Sequence, residues 1–200
     1  MKGLKKIVLI ILIFSAQKSV AQNIDIDILK ELNPQHPDAF VWKNASSSID
    51  WVTSSITLGT LACGYIGKDK KIQHNGFELL IVTGINIGTT ALLKNIVNRT
   101  RPADKYPNEV FVSNPSQGKS FPSGHTSQAF AMATTLTLQY KKWYVTVPAY
   151  LWAGCVGYSR LYLGKHYPSD VLAGALVGAG SSYLGHIISN KLFRNKKSPK

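Results

Sequence analysis

Three short polar stretches of this 200-residue chain hold the side chains best able to do chemistry together. In the last of them, His166 and Asp170 stand four apart on either side of Pro168. A helix starting near that proline would put Asp170 in its first turn, within reach of the imidazole. A carboxylate that accepts from one ring nitrogen leaves the other free to act as nucleophile or base near neutral pH. The middle stretch, Phe121-Pro122-Ser123-Gly124-His125, opens an apolar run over residues 126–140. Ser123 is an expected N-cap there. The helix start would present free N–H groups and a positive dipole end to an anion, with His125 beside it to move a proton. In the first stretch Lys94 and Arg101 are seven apart, two helical turns, and share a face if the helix continues to Thr100. Arg160, near the start of the last stretch, adds another cation. An arginine fork and a compact lysine charge together suit a phosphate.

Each stretch taken singly has a plainer role: a capped helix start, cations snorkelling at a helix end, an exposed i,i+4 pair. Their joint meaning depends on the elements that carry them. Residues 1–21 have the three parts of a secretory signal, with Lys2, Lys5 and Lys6, an apolar core over 7–14, and Ser19-Val20-Ala21 before Gln22. Lys18 is untypical so near a cut, which leaves an uncleaved anchor as the alternative. Residues 22–48 are polar and broken by Pro34 and Pro37, with one short helix expected over 24–32. Five apolar segments follow, over 49–67, 77–97, 126–140, 143–163 and 171–188, rich in Gly, Ala, Ser and Thr. Small residues suit close helix packing in a bilayer.

The charge pattern gives these segments an orientation. The net charge is +13, with four lysines in residues 1–21 and five cations in the last eleven residues. If residues 22–48 are outside the membrane, the turn Lys68-Asp69-Lys70-Lys71, the pair Lys141-Lys142 and the basic C-terminus all fall inside, as the positive-inside rule requires. The three chemical stretches then share the outer side. A soluble exported bundle is the alternative. No zinc-spaced Cys/His cluster, P-loop or dinucleotide fingerprint occurs, and no aromatics interleave the basic tail as in a nucleic-acid arm. Cys63 and Cys155, inside apolar runs, are expected as buried thiols, with a disulfide in an oxidising compartment as the alternative.

In chain order, Lys94…Arg101-Pro102, Pro122-Ser123-Gly124-His125 and Ser159-Arg160…His166…Asp170 match in residue and spacing the pattern K-x6-RP, PSGH, SR-x5-H-x3-D. The chain thereby resembles the type 2 phosphatidic acid phosphatase superfamily, which also includes bacterial class A acid phosphatases and vanadium haloperoxidases. The resemblance implies an all-α fold, a transmembrane bundle of five to six helices, with the phosphatase domain over 49–192 and a basic tail over 193–200. It implies a metal-independent and cofactor-free phosphatase. His166 would attack phosphorus and form a phosphohistidine, Asp170 would orient it, and His125 would act as acid and then base. Lys94, Arg101, Arg160, Ser123 and Gly124 would bind the phosphate. Substrates would be lipid or isoprenoid phosphates (phosphatidic acid, phosphatidylglycerol phosphate, undecaprenyl diphosphate or lipid A), met at the periplasmic face of a bacterial inner membrane, with no nucleic acid involved. A soluble periplasmic acid phosphatase of broad specificity would carry the same motifs. Lys165, Arg99, Lys119 and Tyr162 are expected only as rim or packing groups.

Overall fold

The computed structural model describes residues 24–194. The expected signal segment lies outside the described residues, as does the end of the basic tail. All regular structure among the described residues is helical: α1 (24–32), α2 (Phe40–Ile66), α3 (Lys70–Val97), the short α4 (Pro102–Lys105), α5 (Gly124–Tyr140), α6 (Trp143–Tyr162) and α7 (Pro168–Arg194).

Local chemistry sets several of the boundaries. Asp69 caps α3 by accepting from the N–H groups of Lys71 and Ile72. Asn98 ends α3 in the left-handed region at φ 51°, a conformation its short polar side chain tolerates. Pro168 takes the first position of α7, where a missing N–H costs nothing. The helix over 24–32 and the five long helices fall where the apolar patterning predicts them. Two ends differ. α2 begins at Phe40 and runs through residue 48, so the division between an exported segment and the helical domain falls inside a helix. Tertiary contacts hold this serine-rich turn helical: Trp42 packs edge-on against Tyr158 with centroids 4.6 Å apart, and Ser48 accepts from the Trp152 indole at 2.9 Å. α3 stops at Val97, short of Thr100, so Lys94 and Arg101 do not share one helix face.

α5 is the central helix, packed on α3, α6 and α7. Apart from Met132, its buried side chains are small or hydroxylic, including Thr126, Ser127, Ala129, Ala133 and Thr135. α7 approaches it so closely that a Cβ at Gly178 would lie 2.1 Å from the Ser127 carbonyl oxygen, and one at Gly174 would lie 2.6 Å from that of Ser123. Large apolar side chains point outward instead: Trp51, Leu58, Ile87, Leu151, Leu172 and Leu176 are each more than 60% exposed. A small, polar interior inside an apolar surface suits a bilayer rather than water. Residues 70–105 and 168–193 each contain a stretch long and apolar enough to cross a membrane, with mean hydropathy 1.5. Cys63 and Cys155 sit on this exposed surface as free thiols, which corrects the expectation that they are buried. Tyr65 and Ile66 beside Cys63, and Leu151 one turn before Cys155, are exposed too, so an apolar run here does not by itself mark the core.

The long helices alternate in direction, so the starts of α5 and α7 meet the ends of α3 and α6 at one end of the bundle. At the opposite end, His74 stacks on Phe193 and Gln139 donates to the Asn75 carbonyl, bringing together the α2–α3 turn and the ends of α5 and α7. The lysine-rich turns lie at that opposite end. α1 lies across the other end, where Ile26 and Leu29 pack with Val110 and Tyr167. Asn33, just after α1, donates to the carbonyls of Phe111 and Tyr162 and accepts from the Phe111 N–H.

Candidate active site

His166 and Asp170 flank the start of α7 and are almost fully buried. The Asp170 carboxylate accepts from the Ser120 hydroxyl, from the Tyr167 N–H at 3.1 Å and from Arg99 Nη1 at 2.7 Å. His166 Nδ1 stands 3.5 Å from Asp170 Oδ2 and the same distance from Ser120 Oγ. At that separation the carboxylate acts on the ring through charge more than through a tight hydrogen bond. On the other side of the ring, Arg101 Nη1 approaches Nε2 at 3.3 Å. A guanidinium only donates, so Nε2 must carry the lone pair and Nδ1 the proton. Burial pushes the His166 pKa down to about 4; the Asp170 contact opposes this, and the Arg160 and Arg101 charges reinforce it. The ring is therefore neutral at physiological pH, with its lone pair facing the cations.

Those cations come from three elements. Lys94, in the last turn of α3, donates to the Lys119 carbonyl at 2.6 Å. Arg101, just before α4, donates to the carbonyls of Gln117, Gly118 and Lys165 at 3.2, 3.1 and 2.8 Å. Burial draws its pKa below the usual arginine range, against the opposing charges of Asp170 and Asp104. Arg160, in the last turn of α6, is 3% exposed. Its Nη1 donates to the Ser46 hydroxyl, while its buried Nε has no acceptor. Among the described residues, none of the three pairs with a carboxylate. A buried guanidinium with an orphaned donor, grouped with two uncompensated cations, is a site made for an oxyanion.

Ser123 and His125 stand at the start of α5. Ser123 is fully buried at the N-cap position, yet its hydroxyl accepts from Thr126 Oγ1 at 2.9 Å and does not cap the helix. The expected side-chain cap is thus absent, because the hydroxyl turns toward Thr126. The first N–H groups of α5 keep no side-chain partner, which leaves that end open to an anion. The Ser123 N–H donates to the Asp170 carbonyl at 3.0 Å, tying the starts of α5 and α7 together. His125 and Gly124 line a cavity of about 450 Å3 between α2, α3 and α5, together with Lys94, Asp50, Thr53 and Gln128. Gly164 permits the loop carrying Lys165 and His166: its φ is +65°, and a Cβ there would lie 2.4 Å from the Phe111 carbonyl oxygen.

All eight residues expected to form a site lie at this end of the bundle. Four others belong to it that the motifs did not single out. Arg99, expected as a rim group, bridges Asp170 and Asp25, with its guanidinium 3.7 Å from the centroid of the Tyr167 ring. Ser120 holds Asp170, Ser46 holds Arg160, and Asp25 reaches in from α1. Arg99 and Ser120 lie within or beside the motifs. Asp25 and Ser46 lie far from them in sequence and carry no local signal. The connector between α4 and α5 supplies the carbonyls that hold Lys94 and Arg101, so it clamps the cations from the side.

This arrangement combines an anion cradle with a neutral imidazole whose lone pair faces it, and a family model described as the PAP2 superfamily matches residues 75–194. The chain belongs to the PAP2 superfamily. Over 118 residues it is 33% identical to a lipid A 4'-phosphatase of Bacteroides thetaiotaomicron, a match covering 56% of this chain and 52% of that protein. It is 40% identical over 135 residues to a lipid A 1-phosphatase of Porphyromonas gingivalis, covering 66% of this chain and 28% of that protein. The chain therefore matches about half or less of the length of these relatives. The crystal structure of Aquifex aeolicus LpxE superposes with a TM-score of 0.65 at 25% identity, covering 82% of this chain and 94% of that one. Residues 75–194, matched by the family model, contain all three motif-bearing stretches.

Proposed function

We propose that this PAP2 protein is a metal-independent phosphatase that removes a phosphate group from a membrane lipid through a phosphohistidine. The observation that carries this reading is the buried Arg160 Nε without an acceptor, beside two uncompensated cations and a neutral His166. In the first step His166 Nε2 attacks phosphorus in line, forming the N–P bond as the P–O bond to the leaving group breaks. His125 donates a proton to that leaving oxygen. Lys94, Arg101 and Arg160, with the Ser123 hydroxyl and the Gly124 N–H at the start of α5, spread charge over the equatorial oxygens, where phosphoryl transfer gains most from electrostatics. Asp170 stabilises the positive ring through the proton on Nδ1. In the second step His125 takes a proton from water, the oxygen attacks phosphorus, and the N–P bond breaks to release inorganic phosphate.

Among the candidate lipids, lipid A phosphates fit best with the activities named for the two relatives described above. The apolar exterior and the lysine-rich turns at the far end of the bundle support an inner-membrane protein with its site at the periplasmic face. The test is a phosphate-release panel in detergent with excess EDTA, using lipid A, phosphatidic acid, phosphatidylglycerol phosphate and undecaprenyl diphosphate. Release from lipid A by the wild-type chain, abolished in His166→Ala, is expected. Full release by His166→Ala would overturn the mechanism, and loss of release in EDTA would overturn metal independence.

A further inference from the structure

The cations at the site fall into two kinds. Lys94, Arg101 and Arg160 lack carboxylate partners among the described residues, whereas Arg99 has two. Its Nη1 meets Asp170 Oδ1 at 2.7 Å and its Nη2 meets Asp25 Oδ2 at 2.6 Å. Burial works against the Arg99 charge, and Asp170 and Asp25 more than restore it, holding its pKa above the usual arginine range. Arg99 is thus already neutralised and faces a carboxylate on each side. Its chemistry is that of a link between two acids.

The far acid comes from α1, outside the region matched by the family model. The Asp25 side chain is 8% exposed, and its other oxygen accepts from the backbone N–H of Ser169 at 2.8 Å. Its Oδ2 also accepts from the Ser169 hydroxyl, which receives a second hydrogen bond from Arg99 Nη1 at 2.7 Å. Ser169 is the second residue of α7, whose first-turn N–H groups have no partner within the helix. Tyr167, the residue before α7, has no side chain suited to capping, so Asp25 supplies a cap from another helix, with its charge at the positive end of the dipole. The turn so capped carries Asp170, and His166 precedes it by two residues. α1 is seated independently by Ile26 and Leu29 in their apolar cluster and by the Asn33 hydrogen bonds.

We infer that Asp25 is a positioning residue of the active site. Through Arg99 and the first turn of α7, it fixes the Asp170 carboxylate behind His166, so that α1 belongs to the catalytic apparatus and is not a mere spacer before α2. The inference rests on the phosphatase reading above.

The test is a double-mutant cycle on kcat and KM in the full-length chain, using lipid A phosphate release. Asp25→Asn keeps the shape and an acceptor for Ser169 while removing the charge. It is expected to lower kcat about tenfold with KM within about twofold, the lower end of what removing an outer partner costs. Arg99→Lys keeps a charge but cannot fork to both acids, and a similar kcat loss is expected. If Asp25 acts through Arg99, Asp25→Asn added to Arg99→Lys costs nothing further. Asp27→Asn removes a charge from the exposed face of the same helix and should leave kcat unchanged. Wild-type kcat in Asp25→Asn, or full additivity with Arg99→Lys, would overturn the inference while leaving the phosphatase reading intact. If Asp25→Asn cannot be purified, wild-type kcat in Arg99→Lys alone would overturn it. A wild-type chain that releases no phosphate from any of the four lipids would overturn both.

Discussion

A single methyl group at Gly174 should separate catalysis from folding. Gly174 lies in the second turn of α7, one turn after Asp170, against the start of α5. A Cβ there would stand 2.6 Å from the Ser123 carbonyl oxygen, 3.2 Å from Thr126 Cβ and 3.3 Å from the Ser127 N–H nitrogen. Two of the three obstacles are backbone atoms, so no side-chain rotation relieves the clash. Restoring ordinary contact requires the starts of the two helices to part by about 0.8 Å, which stretches the 3.0 Å bond from the Ser123 N–H to the Asp170 carbonyl. Overpacking of this kind costs about 1–3 kcal/mol. The larger effect falls on geometry, because a displacement approaching 1 Å between reacting groups can lower a rate about 100-fold. Gly174→Ala is therefore expected to reduce kcat for phosphate release by one to two orders of magnitude, with a modest fall in Tm in detergent. Gly180→Ala is the control: its Cβ meets nothing within 4 Å, and replacing glycine within a helix stabilises by up to about 1 kcal/mol. Equal kcat in Gly174→Ala and Gly180→Ala would refute the claim that the contact between α5 and α7 sets the geometry of the site.

Three further outcomes follow from the charges. The His166 pKa is lowered to about 4, so the ring stays neutral down to that pH while an unfolded histidine protonates near 6.5. The acid limb of kcat/KM due to His166 should accordingly lie near pH 4, and a limb at the ordinary histidine value that shifts with no other group would refute it. The linked stability contribution is fully present above about pH 6.5 and is lost as pH falls toward 4, readable as a declining Tm across that window. Arg160→Lys retains the charge but removes the Nε donor that has no acceptor. Since a hydrogen bond to a charged group contributes about 1.5–3 kcal/mol, kcat/KM should fall about 10- to 100-fold; unchanged kcat/KM would mean that Nε does not meet the phosphate.

The site was legible in the sequence where its parts are local. Lys94 to Pro102, Pro122 to His125 and Ser159 to Asp170 each keep a fixed internal spacing, and a helix start or end converts that spacing directly into geometry. The five long helices were legible for a similar reason, since runs of apolar and small residues persist across them. What could not be read lies in tertiary pairing. The end of α3 at Val97 depends on Asn98 adopting a left-handed conformation, which the residue permits but does not require. The helical turn over residues 40–48 depends on Trp42, Ser46 and Ser48 finding Tyr158, Arg160 and Trp152, more than 100 positions away. Asp25 is one of three aspartates in a polar segment, and only the docking of α1 distinguishes it. The thiols misled because apolar surroundings in sequence signal burial in a water-soluble core, while here the apolar surface faces outward.

Under the proposed mechanism, how the cations are held separates the three assigned to the substrate phosphate from the one that is not. A side chain in a site must be fixed, and a carboxylate is the strongest available anchor. An anchoring carboxylate also neutralises the charge it fixes. Lys94 and Arg101 are fixed instead by backbone carbonyls: Lys119 for the first, and Gln117, Gly118 and Lys165 for the second. Arg160 is fixed by the Ser46 hydroxyl. Neutral acceptors set orientation while leaving the positive charge uncompensated, at the cost of mutual repulsion among the three. Arg99, five residues after Lys94 and two before Arg101, is anchored by two carboxylates and has little net field left to offer. Four cations close in space thus divide by partner type. Those held by neutral oxygens stand ready for an anion, while the one held by acids keeps Asp170, and through it His166, in place.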